Sequence, residues 1–182
     1  MYYQIIKAGK DEIGLVWSNA GKKPQVEFIY LPGVKEKMAA RIARDFPAIH
    51  QTPRAISGGV DQTIIDLYEG KQKKFDLIRL NLKRLTKFSA SVLKQTFKIP
   101  RGKVATYSGL AARIGKHRAA RAVGTVMANN PFPIIIPCHR VIRADGKIGQ
   151  FGGGTQMKRD LLEREGVIFG PQGIIPEKYI RF

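Results

Sequence analysis

The sequence has one cysteine, few acidic residues and no long apolar run. Cys138 is the only cysteine in 182 residues, which excludes an internal disulfide bond and a zinc site built from several thiols, and favours a reducing compartment. No apolar run approaches the roughly 20 residues that a transmembrane helix requires, and residues 1–4 do not resemble the start of a signal peptide. We therefore expect a cytoplasmic protein without a membrane span.

Basic residues far outnumber the scarce acidic ones. The chain has 32 Lys and Arg against 14 Asp and Glu, and a formal net charge of +18. Solvated cations are common on protein surfaces, but an excess of this size is better explained by a polyanionic partner, of which nucleic acid is the first choice. An anionic membrane surface is the weaker choice, because no helix concentrates the cations opposite an aromatic face.

Residues 1–82 predict a small supporting α+β domain. Three or four strands and two helices are expected there. The strand candidates are residues 3–6, 13–17, 26–31 and 75–82, and the helices are at 34–46 and 60–69. No residue of this part carries chemistry that can be named. Since 43% of the chain is hydrophobic, its length allows a core in this domain and in a second one.

Residues 83–182 predict a mostly helical second domain. Three consecutive helices are expected first, at residues 87–97, 107–114 and 118–128. Thr86 and Thr106 are placed to cap the first two of them. A short turn that contains a glycine joins the second helix to the third. Two short helices connected in this way indicate a helix-turn-helix.

The third of these helices has a smooth face. Its small residues are Ala119, Ala120, Ala122 and Gly124, and Arg121 is the one long side chain among them. Side chains that read the major groove must reach the base edges, so a smooth helix with a single long cation better suits close approach to a narrow minor groove. An ordinary packing helix rich in alanine is the alternative, and the net charge favours DNA.

An apolar segment, residues 130–141 (NPFPIIIPCHRV), leads into Cys138 and His139 from a run that should be buried. A lone cysteine is more often a small buried hydrophobic residue than a nucleophile, so the rest of the chain must decide. Glu165 lies near the apolar stripe of a later helix, where it either turns to solvent or holds a partner such as His139. These three residues could thus serve as thiol, base and orienting acid.

A turn and a glycine-rich loop follow the cysteine. An Asp-Gly pair predicts a hairpin over residues 141–148. The loop at 149–154 lacks the Lys-Ser/Thr ending and the spacing of phosphate-binding loops. It predicts close approach of the backbone to a flat ligand, with Phe151 as a stacking wall. Thr155 is then expected to cap a helix over residues 156–165.

The pentapeptide at residues 137–141, Pro-Cys-His-Arg-Val, is identical to the signature of the O6-alkylguanine-DNA alkyltransferases, also called methylated-DNA–protein-cysteine methyltransferases. Other parts of that family's pattern recur in the same order, namely Thr106-Tyr107, Arg121-Ala122-Val123-Gly124, Asn130, the glycine loop, Lys158 and Glu165-Gly166. The chain resembles this family closely over about residues 86–166 and loosely before them.

The resemblance implies a repair reaction that consumes the protein. Cys138 would attack the alkyl carbon on O6 of guanine as a thiolate, and His139 would take the thiol proton through a bridging water while Glu165 orients it. Tyr107 would protonate the departing guanine and help to rotate the flanking phosphate, and Asn130 would brace the active-site segment. No cofactor and no metal is implied. The protein is expected to act as a monomer in the cytoplasm, at the nucleoid or, in a eukaryote, in the nucleus.

The resemblance also implies how duplex DNA and the damaged base are held. The protein would bind the minor groove and flip the nucleotide into a pocket, with Arg121 filling the gap in the base stack. The DNA-binding residues would be Thr106, Tyr107, Ala119, Ala120, Arg121, Ala122 and Gly124. The pocket would be lined or closed by Met127, Pro133, Val141, Phe151, Gly152 and Lys158. Phe151 and Gly152 depart from the family pattern, which often has a tyrosine and a hydroxyl residue there.

Two other functions remain open from the residues. A thiol hydrolase that uses Cys138, His139 and Glu165 would need an oxyanion hole and a small ester or peptide substrate, and it leaves the net charge of +18 unexplained. A non-catalytic DNA-binding module that recognises lesions and recruits partners would leave Cys138 merely buried. An alkylating probe separates these functions, because a buried structural cysteine reacts slowly at neutral pH.

Overall fold

The computed structural model describes residues 1–19, 23–33, 36–52 and 56–182. The described chain divides into two compact units, residues 1–81 with 131–133 and residues 82–130 with 134–182. The mixed α+β class is confirmed. In the described residues, no helix is both long and apolar enough to cross a membrane.

A four-stranded sheet of order β3-β2-β1-β4 forms the first unit. Strands β1 (Tyr2–Ala8), β2 (Asp11–Ser18) and β3 (Gln25–Tyr30) form an antiparallel meander, at the positions where three strands were predicted. The two-residue β4 (His50–Gln51) pairs in parallel with the start of β1. Sequence could not predict β4, because two exposed polar residues carry no strand pattern and only the pairing with β1 defines them as a strand.

Two helices complete the first unit, α1 (Met38–Asp45) and α2 (Val60–Tyr68). Residues 34 and 35 of the predicted first helix lie outside the described residues. Helix α1 packs closely on β2 at Gly14. A β-carbon at that position would lie only 2.9 Å from the Ile42 Cδ1 atom and 2.9 Å from the Met38 Sδ atom. The glycine therefore permits this helix to bury its apolar stripe against the sheet.

The strand predicted at residues 75–82 is wrong. The chain forms a 3₁₀ turn at Leu77–Arg79 instead, and the Asp76 carboxylate caps it by accepting from the Ile78 amide at 3.0 Å. An isolated backbone bridge pairs Leu80 with Val26, and side-chain hydrogen bonds from Gln25 to the Ile78 carbonyl and from Asn81 to Glu27 also join this segment to β3. A side chain that captures a backbone amide competes with strand pairing, and the alternation of apolar residues did not show that competition.

The second unit contains α3 (Lys87–Phe97), α4 (Tyr107–Arg113), α5 (Ala120–Ala128) and α6 (Gly154–Arg164). Both predicted threonine caps are confirmed: the Thr86 hydroxyl accepts from the Ser89 amide at 3.1 Å, and the Thr106 hydroxyl accepts from the Gly109 amide at 2.9 Å. The predicted Thr155 cap is wrong. Helix α6 begins two residues earlier than predicted, with Gly153 at the N-cap position and no side-chain cap.

The predicted hairpin at residues 141–148 is also wrong, although its turn is present. Strand β6 (Val141–Ile142) pairs in parallel with β5 (Ala105–Thr106), so its partner precedes α4 in the chain and does not follow the turn. The last residues of the chain lie alongside β5, where the Thr106 amide donates to the Phe182 carbonyl at 2.9 Å. This pairing fixes the start of α4 and the segment that follows Cys138 in one small sheet.

Candidate active site

Cys138 is presented by a constrained piece of backbone. The residue is only 6% exposed. It is the first residue of a 3₁₀ turn, Cys138–Arg140. The Ile136 carbonyl accepts from the Cys138 amide at 2.7 Å and from the Asn130 side-chain amide at 3.0 Å. Ile134 has a φ of 73°, a left-handed conformation that a β-branched residue adopts only when its surroundings enforce it. Buried packing and the Asn130 brace therefore set the cysteine's position.

His139, Arg140 and Glu165 form a buried charged cluster beside the cysteine. His139 Nε2 lies 3.0 Å from Glu165 Oε1. Arg140 donates from Nη2 to the same oxygen at 2.7 Å and from Nε to Oε2 at 2.8 Å, and its Nη1 donates to the Ile99 carbonyl at 2.6 Å. The carboxylate thus binds both the histidine and the arginine. A buried carboxylate requires a cation, but the sequence did not show that Glu165 is buried, and Arg140 was therefore not predicted as a site residue.

The protonation states in this cluster follow from burial and charge. Burial lowers the pKa of His139 below its usual value, against the opposing effect of Glu165, so the imidazole is neutral at neutral pH. Burial alone would raise the pKa of Glu165, but the hydrogen bonds from His139 and Arg140 and their charges lower it to about 2. An ionised Glu165 accepts from Nε2–H of the neutral ring. The Nδ1 atom then carries a lone pair, and it has no hydrogen-bond partner among the described residues.

Lys158 is a buried cation near the thiol. Its side chain is fully buried, and Nζ donates to the Val141 carbonyl at 2.6 Å and to the Gln150 carbonyl at 3.3 Å. Burial lowers its pKa to about 8. Burial also raises the pKa of Cys138, whereas the Asn130 hydrogen bond and the Lys158 charge act in the opposite direction. Burial is the larger effect, so the thiol is protonated at neutral pH. Asn130 and Lys158 nevertheless stabilise the thiolate relative to a thiol buried without them.

A cavity of about 490 Å³ opens at the cysteine. Its lining residues are Tyr107, Gly124, Met127, Ala128, Cys138, Arg143, Gly149, Gln150, Phe151 and Gly152. Phe151 packs edge-on against the His139 ring, with centroids 6.4 Å apart. Among the residues predicted to bind substrate, Met127, Phe151 and Gly152 line this cavity, whereas Val141 and Lys158 are buried outside its lining. Pro133 is buried and is assigned to the first unit.

Two lining residues, Ala128 and Arg143, were not predicted, and two others, Gly149 and Gln150, belong to the loop that was predicted to approach a flat ligand. Gly149 has a φ of 72°, and a β-carbon there would lie 3.5 Å from the Tyr107 hydroxyl oxygen. The positive φ therefore explains this glycine, since other residues rarely adopt that conformation, whereas a β-carbon would make only ordinary contact with the tyrosine. Burial raises the pKa of Tyr107, and the nearby Cys138 charge raises it further, so the phenol is a protonated donor at neutral pH.

Helix α5 has an exposed, smooth N-terminal half. Arg121 and Ala122 are exposed, whereas Val123, Val126 and Met127 are buried on the opposite face. A β-carbon at Gly124 would meet no atom within 4 Å, so this helix is not packed there. Its small residues Ala119 and Ala120 are half-buried beside the exposed arginine. The predicted DNA-binding residues of this stretch therefore lie on or beside an open helix face. Of the other two, Thr106 caps α4 through its hydroxyl, and Tyr107 begins α4 and lines the cavity.

The positive charge is unevenly distributed along the chain. Residues 82–182 contain 19 of the 32 Lys and Arg but only five of the 14 Asp and Glu. A strongly basic helix-turn-helix unit is the electrostatic pattern of nucleic-acid-binding proteins. In the described residues, no group of His, Cys, Asp and Glu could hold a metal ion.

Fold and site together define a class: a helix-turn-helix unit that carries a buried cysteine beside a histidine–glutamate pair at a cavity. Residues 87–167 match the family model for the DNA-binding domain of 6-O-methylguanine DNA methyltransferase. A methylated-DNA–protein-cysteine methyltransferase of Methanothermobacter thermautotrophicus is 38% identical over 156 residues, which cover 86% of this chain and 80% of that protein. The chain belongs to the methylated-DNA–protein-cysteine methyltransferase family.

Other relatives extend the similarity over nearly the whole chain. The methylated-DNA–protein-cysteine methyltransferase of Methanosarcina mazei is 36% identical over 91% of this chain and 97% of its own length. The crystal structure of Mycobacterium tuberculosis OGT in complex with DNA superposes with a TM-score of 0.72, at 34% identity over 91% of this chain and 92% of that one. The O6-methylguanine-DNA methyltransferase of Pyrococcus kodakaraensis superposes with a TM-score of 0.67, at 26% identity over 91% and 99% of the two chains.

Proposed function

We propose that this protein repairs duplex DNA by transferring the alkyl group of O6-alkylguanine to Cys138, once per molecule. The observation that carries the proposal is the buried Cys138 at a cavity, next to a neutral His139 whose tautomer is fixed by Glu165 at 3.0 Å. Family membership supports the same reaction. The basic helix-turn-helix unit supplies the surface for the polyanionic substrate.

The transfer is a displacement at the alkyl carbon. A new bond forms from Cys138 Sγ to that carbon while the bond from carbon to guanine O6 breaks, and the bonding pair leaves with the oxygen. His139 accepts the thiol proton at Nδ1 through a bridging water, because Nε2 is committed to Glu165. Tyr107 donates a proton to the departing guanine. The net reaction moves the alkyl group to sulfur and one proton from the thiol to the guanine.

The raised pKa of Cys138 explains why the reaction needs a base. A thiol with a pKa above its usual value is almost entirely protonated at neutral pH, and only the thiolate is a strong nucleophile. The neutral imidazole and the Lys158 ammonium together favour ionisation at the moment of attack. The resulting thioether has no easy leaving group, so each molecule reacts once.

The open face of α5 is the proposed minor-groove surface. Its small residues Ala119, Ala120, Ala122 and Gly124 allow the backbone to approach the duplex, and Arg121 is placed to occupy the gap that the extrahelical nucleotide leaves. Met127, Phe151 and Gly152 would hold the flipped base in the cavity. Val141 and Lys158 would support the cavity from behind, and Asn130 would brace Cys138.

Mass spectrometry of the intact protein tests the proposal. After incubation with a duplex that contains one O6-methylguanine, we expect a gain of one methyl group per molecule, located on the peptide that contains Cys138 and absent in Cys138→Ala. An unchanged mass with tight lesion binding would instead indicate a non-catalytic recognition module. An unchanged mass without lesion preference, together with turnover of a small ester, would indicate a thiol hydrolase.

Reaction inside the cytoplasm, at the nucleoid or in a nucleus is part of the proposal, as is a monomeric state.

A further inference from the structure

A tight turn follows β6 and is fixed at several points. The Arg143 amide donates to the Lys147 carbonyl at 3.0 Å, and the Gly146 amide donates to the Arg143 carbonyl at 3.1 Å. The Gly146 carbonyl accepts from the Ile175 amide at 3.0 Å. Gly146 has a φ of 75°, and a β-carbon there would lie 2.8 Å from the Ile174 side chain. The turn is therefore held against the body of the second unit.

Asp145 uses this turn to orient the Arg143 guanidinium. Its Oδ1 atom accepts from the Lys147 amide at 3.1 Å and from Arg143 Nε at 3.2 Å, and Oδ2 accepts from Arg143 Nη2 at 2.9 Å. The hydrogen bonds and charge of Arg143 lower the pKa of Asp145, so the pair is ionised at neutral pH. A two-point pair with a carboxylate that is itself anchored to the backbone holds the planar guanidinium in one orientation.

Arg143 lies at the mouth of the Cys138 cavity and is the one charged side chain among the described residues that line it. Its side chain is 58% exposed. A β-carbon at Gly149 would lie 3.5 Å from Arg143 Cγ and 3.5 Å from the Tyr107 hydroxyl oxygen, so those two atoms are at most about 7 Å apart. The arginine stem and the tyrosine therefore flank the same backbone position at the entrance.

We propose that Arg143, oriented by Asp145, binds a backbone phosphate next to the flipped nucleotide. This inference rests on the proposed function, which brings a nucleotide and its two flanking phosphates to this entrance. The guanidinium has five N–H donors, and two of them bind Asp145. The other three have no acceptor among the described residues, and a phosphate oxygen is the acceptor that suits them.

The pairing with Asp145 explains how an exposed arginine can act at a defined phosphate. An unpaired surface arginine samples many rotamers and contributes to the general field around DNA. The anchored Asp145 carboxylate restricts the rotamers of Arg143 before DNA binds. Its negative charge also reduces the net positive charge of the turn. The expected contribution of Arg143 is therefore specific to one position of the substrate and not shared by other exposed cations nearby.

Single-turnover transfer from duplexes with one neutral phosphate tests the proposal. The phosphate on either side of a single O6-methylguanine is replaced in turn by a methylphosphonate, and the rate is measured for the wild type, Arg143→Ala, Arg143→Lys, Asp145→Asn and Lys147→Ala. Lys147 is the matched control, because it is an exposed cation on the same turn and its side chain binds no described residue. Free O6-benzylguanine, which has no phosphate, serves as the second substrate.

We expect one of the two methylphosphonates to slow the wild type about tenfold. Arg143→Ala should slow transfer from the all-phosphate duplex to a similar extent. The same methylphosphonate should then cause no further loss of rate in this variant. The loss of rate that Arg143→Ala causes on free O6-benzylguanine should be at least fivefold smaller than its loss on the duplex. Arg143→Lys and Asp145→Asn should lie between these limits, and Lys147→Ala should keep the wild-type sensitivity to the substitution. The salt dependence of the rate should weaken by about one counterion in Arg143→Ala.

Three results would overturn the inference, and a fourth would reject the proposed function on which it rests. Equal losses in Arg143→Ala and Lys147→Ala would show a general charge effect, and an equal loss on duplex and free base would show a structural role for the turn. A wild type that transfers no methyl group from any duplex would reject the proposed function itself, whereas wild-type transfer that is indifferent to both methylphosphonates would reject the phosphate contact alone.

Discussion

Arg140 and Glu165 are joined at two points, 2.7 and 2.8 Å, and the same carboxylate oxygen that accepts from Arg140 Nη2 also lies 3.0 Å from His139 Nε2. The carboxylate that orients the base is therefore shared with a fixed cation. This sharing limits how far Glu165 can raise the basicity of His139, because the positive charge of Arg140 opposes it. The imidazole stays neutral and remains available as a proton acceptor.

Removal of Arg140 should move the acid limit of the reaction to higher pH. In the wild type the pKa of His139 is below its usual value of about 6.5, so the base stays unprotonated at pH 6.5 and the rate falls only in more acidic solution. In Arg140→Gln the opposing charge is gone, the pKa of His139 rises, and the rate should begin to fall at higher pH.

The pH profile of single-turnover transfer and the NMR titration of the His139 ring measure this shift. Arg140→Lys keeps the charge without the two-point geometry, and we expect it to restore the acid limit in part. Loss of one partner of a buried ion pair costs about 3–5 kcal/mol of stability, so unfolding is measured in parallel. An unchanged histidine titration in folded Arg140→Gln would contradict the prediction.

Loss of the Lys158 charge should make Cys138 less reactive. The pKa of Lys158 is about 8, so its side chain is mostly an ammonium below that pH. Its charge favours the Cys138 thiolate. In Lys158→Gln, which keeps a hydrogen-bond donor, the pKa of Cys138 should rise further, and each unit lowers the thiolate fraction at neutral pH about tenfold. The rate of alkylation by iodoacetamide at pH 7.5 measures this directly, since the protein has one cysteine. A rate equal to that of the wild type would exclude the electrostatic role.

Arg121→Ala should impair repair of duplex DNA much more than reaction with free base. Arg121 is exposed on a smooth helix face and is not among the residues that line the cavity, so we expect it to act only when a duplex must be held open. We expect a loss of at least tenfold on duplex O6-methylguanine and a much smaller loss on free O6-benzylguanine. Arg118→Ala, an exposed cation that precedes α5, is the control for charge alone. Equal losses on both substrates would reject the role of Arg121 in holding the stack open.

The cavity should accept large O6 substituents. Gly152 lines it without a positive φ, and a β-carbon there would meet no atom within 4 Å, so room remains beside the flipped base. We expect transfer from O6-benzylguanine in DNA, and in Gly152→Trp the ratio of benzyl to methyl rates should fall at least tenfold. Thr155→Trp, on an exposed residue just beyond the lining, should leave the ratio unchanged. A ratio unaffected by Gly152→Trp would place the substituent elsewhere.

Several features of the site were determined by sequence alone. Thr86 and Thr106 are cap residues whose partners lie three positions away, so local chemistry sufficed to place α3 and α4. The adjacency of Cys138 and His139, the smooth stretch around Arg121 and the excess of cations are also properties of the linear chain. The resemblance carried by the pentapeptide then linked them to one reaction.

Tertiary structure decided the contacts that join distant residues. Arg140 and Glu165 are 25 residues apart, and Lys158 donates to a carbonyl 17 residues away. No sequence periodicity predicts pairs at such separations. The parallel pairing of β5 with β6, which replaced the predicted hairpin, depends on segments 36 residues apart in sequence. Burial, which lowers the pKa values of His139 and Lys158, and the pairing that keeps Glu165 ionised exist only after these segments have packed. The sequence thus determined which groups carry the chemistry, and the fold determined their charge states and their neighbours.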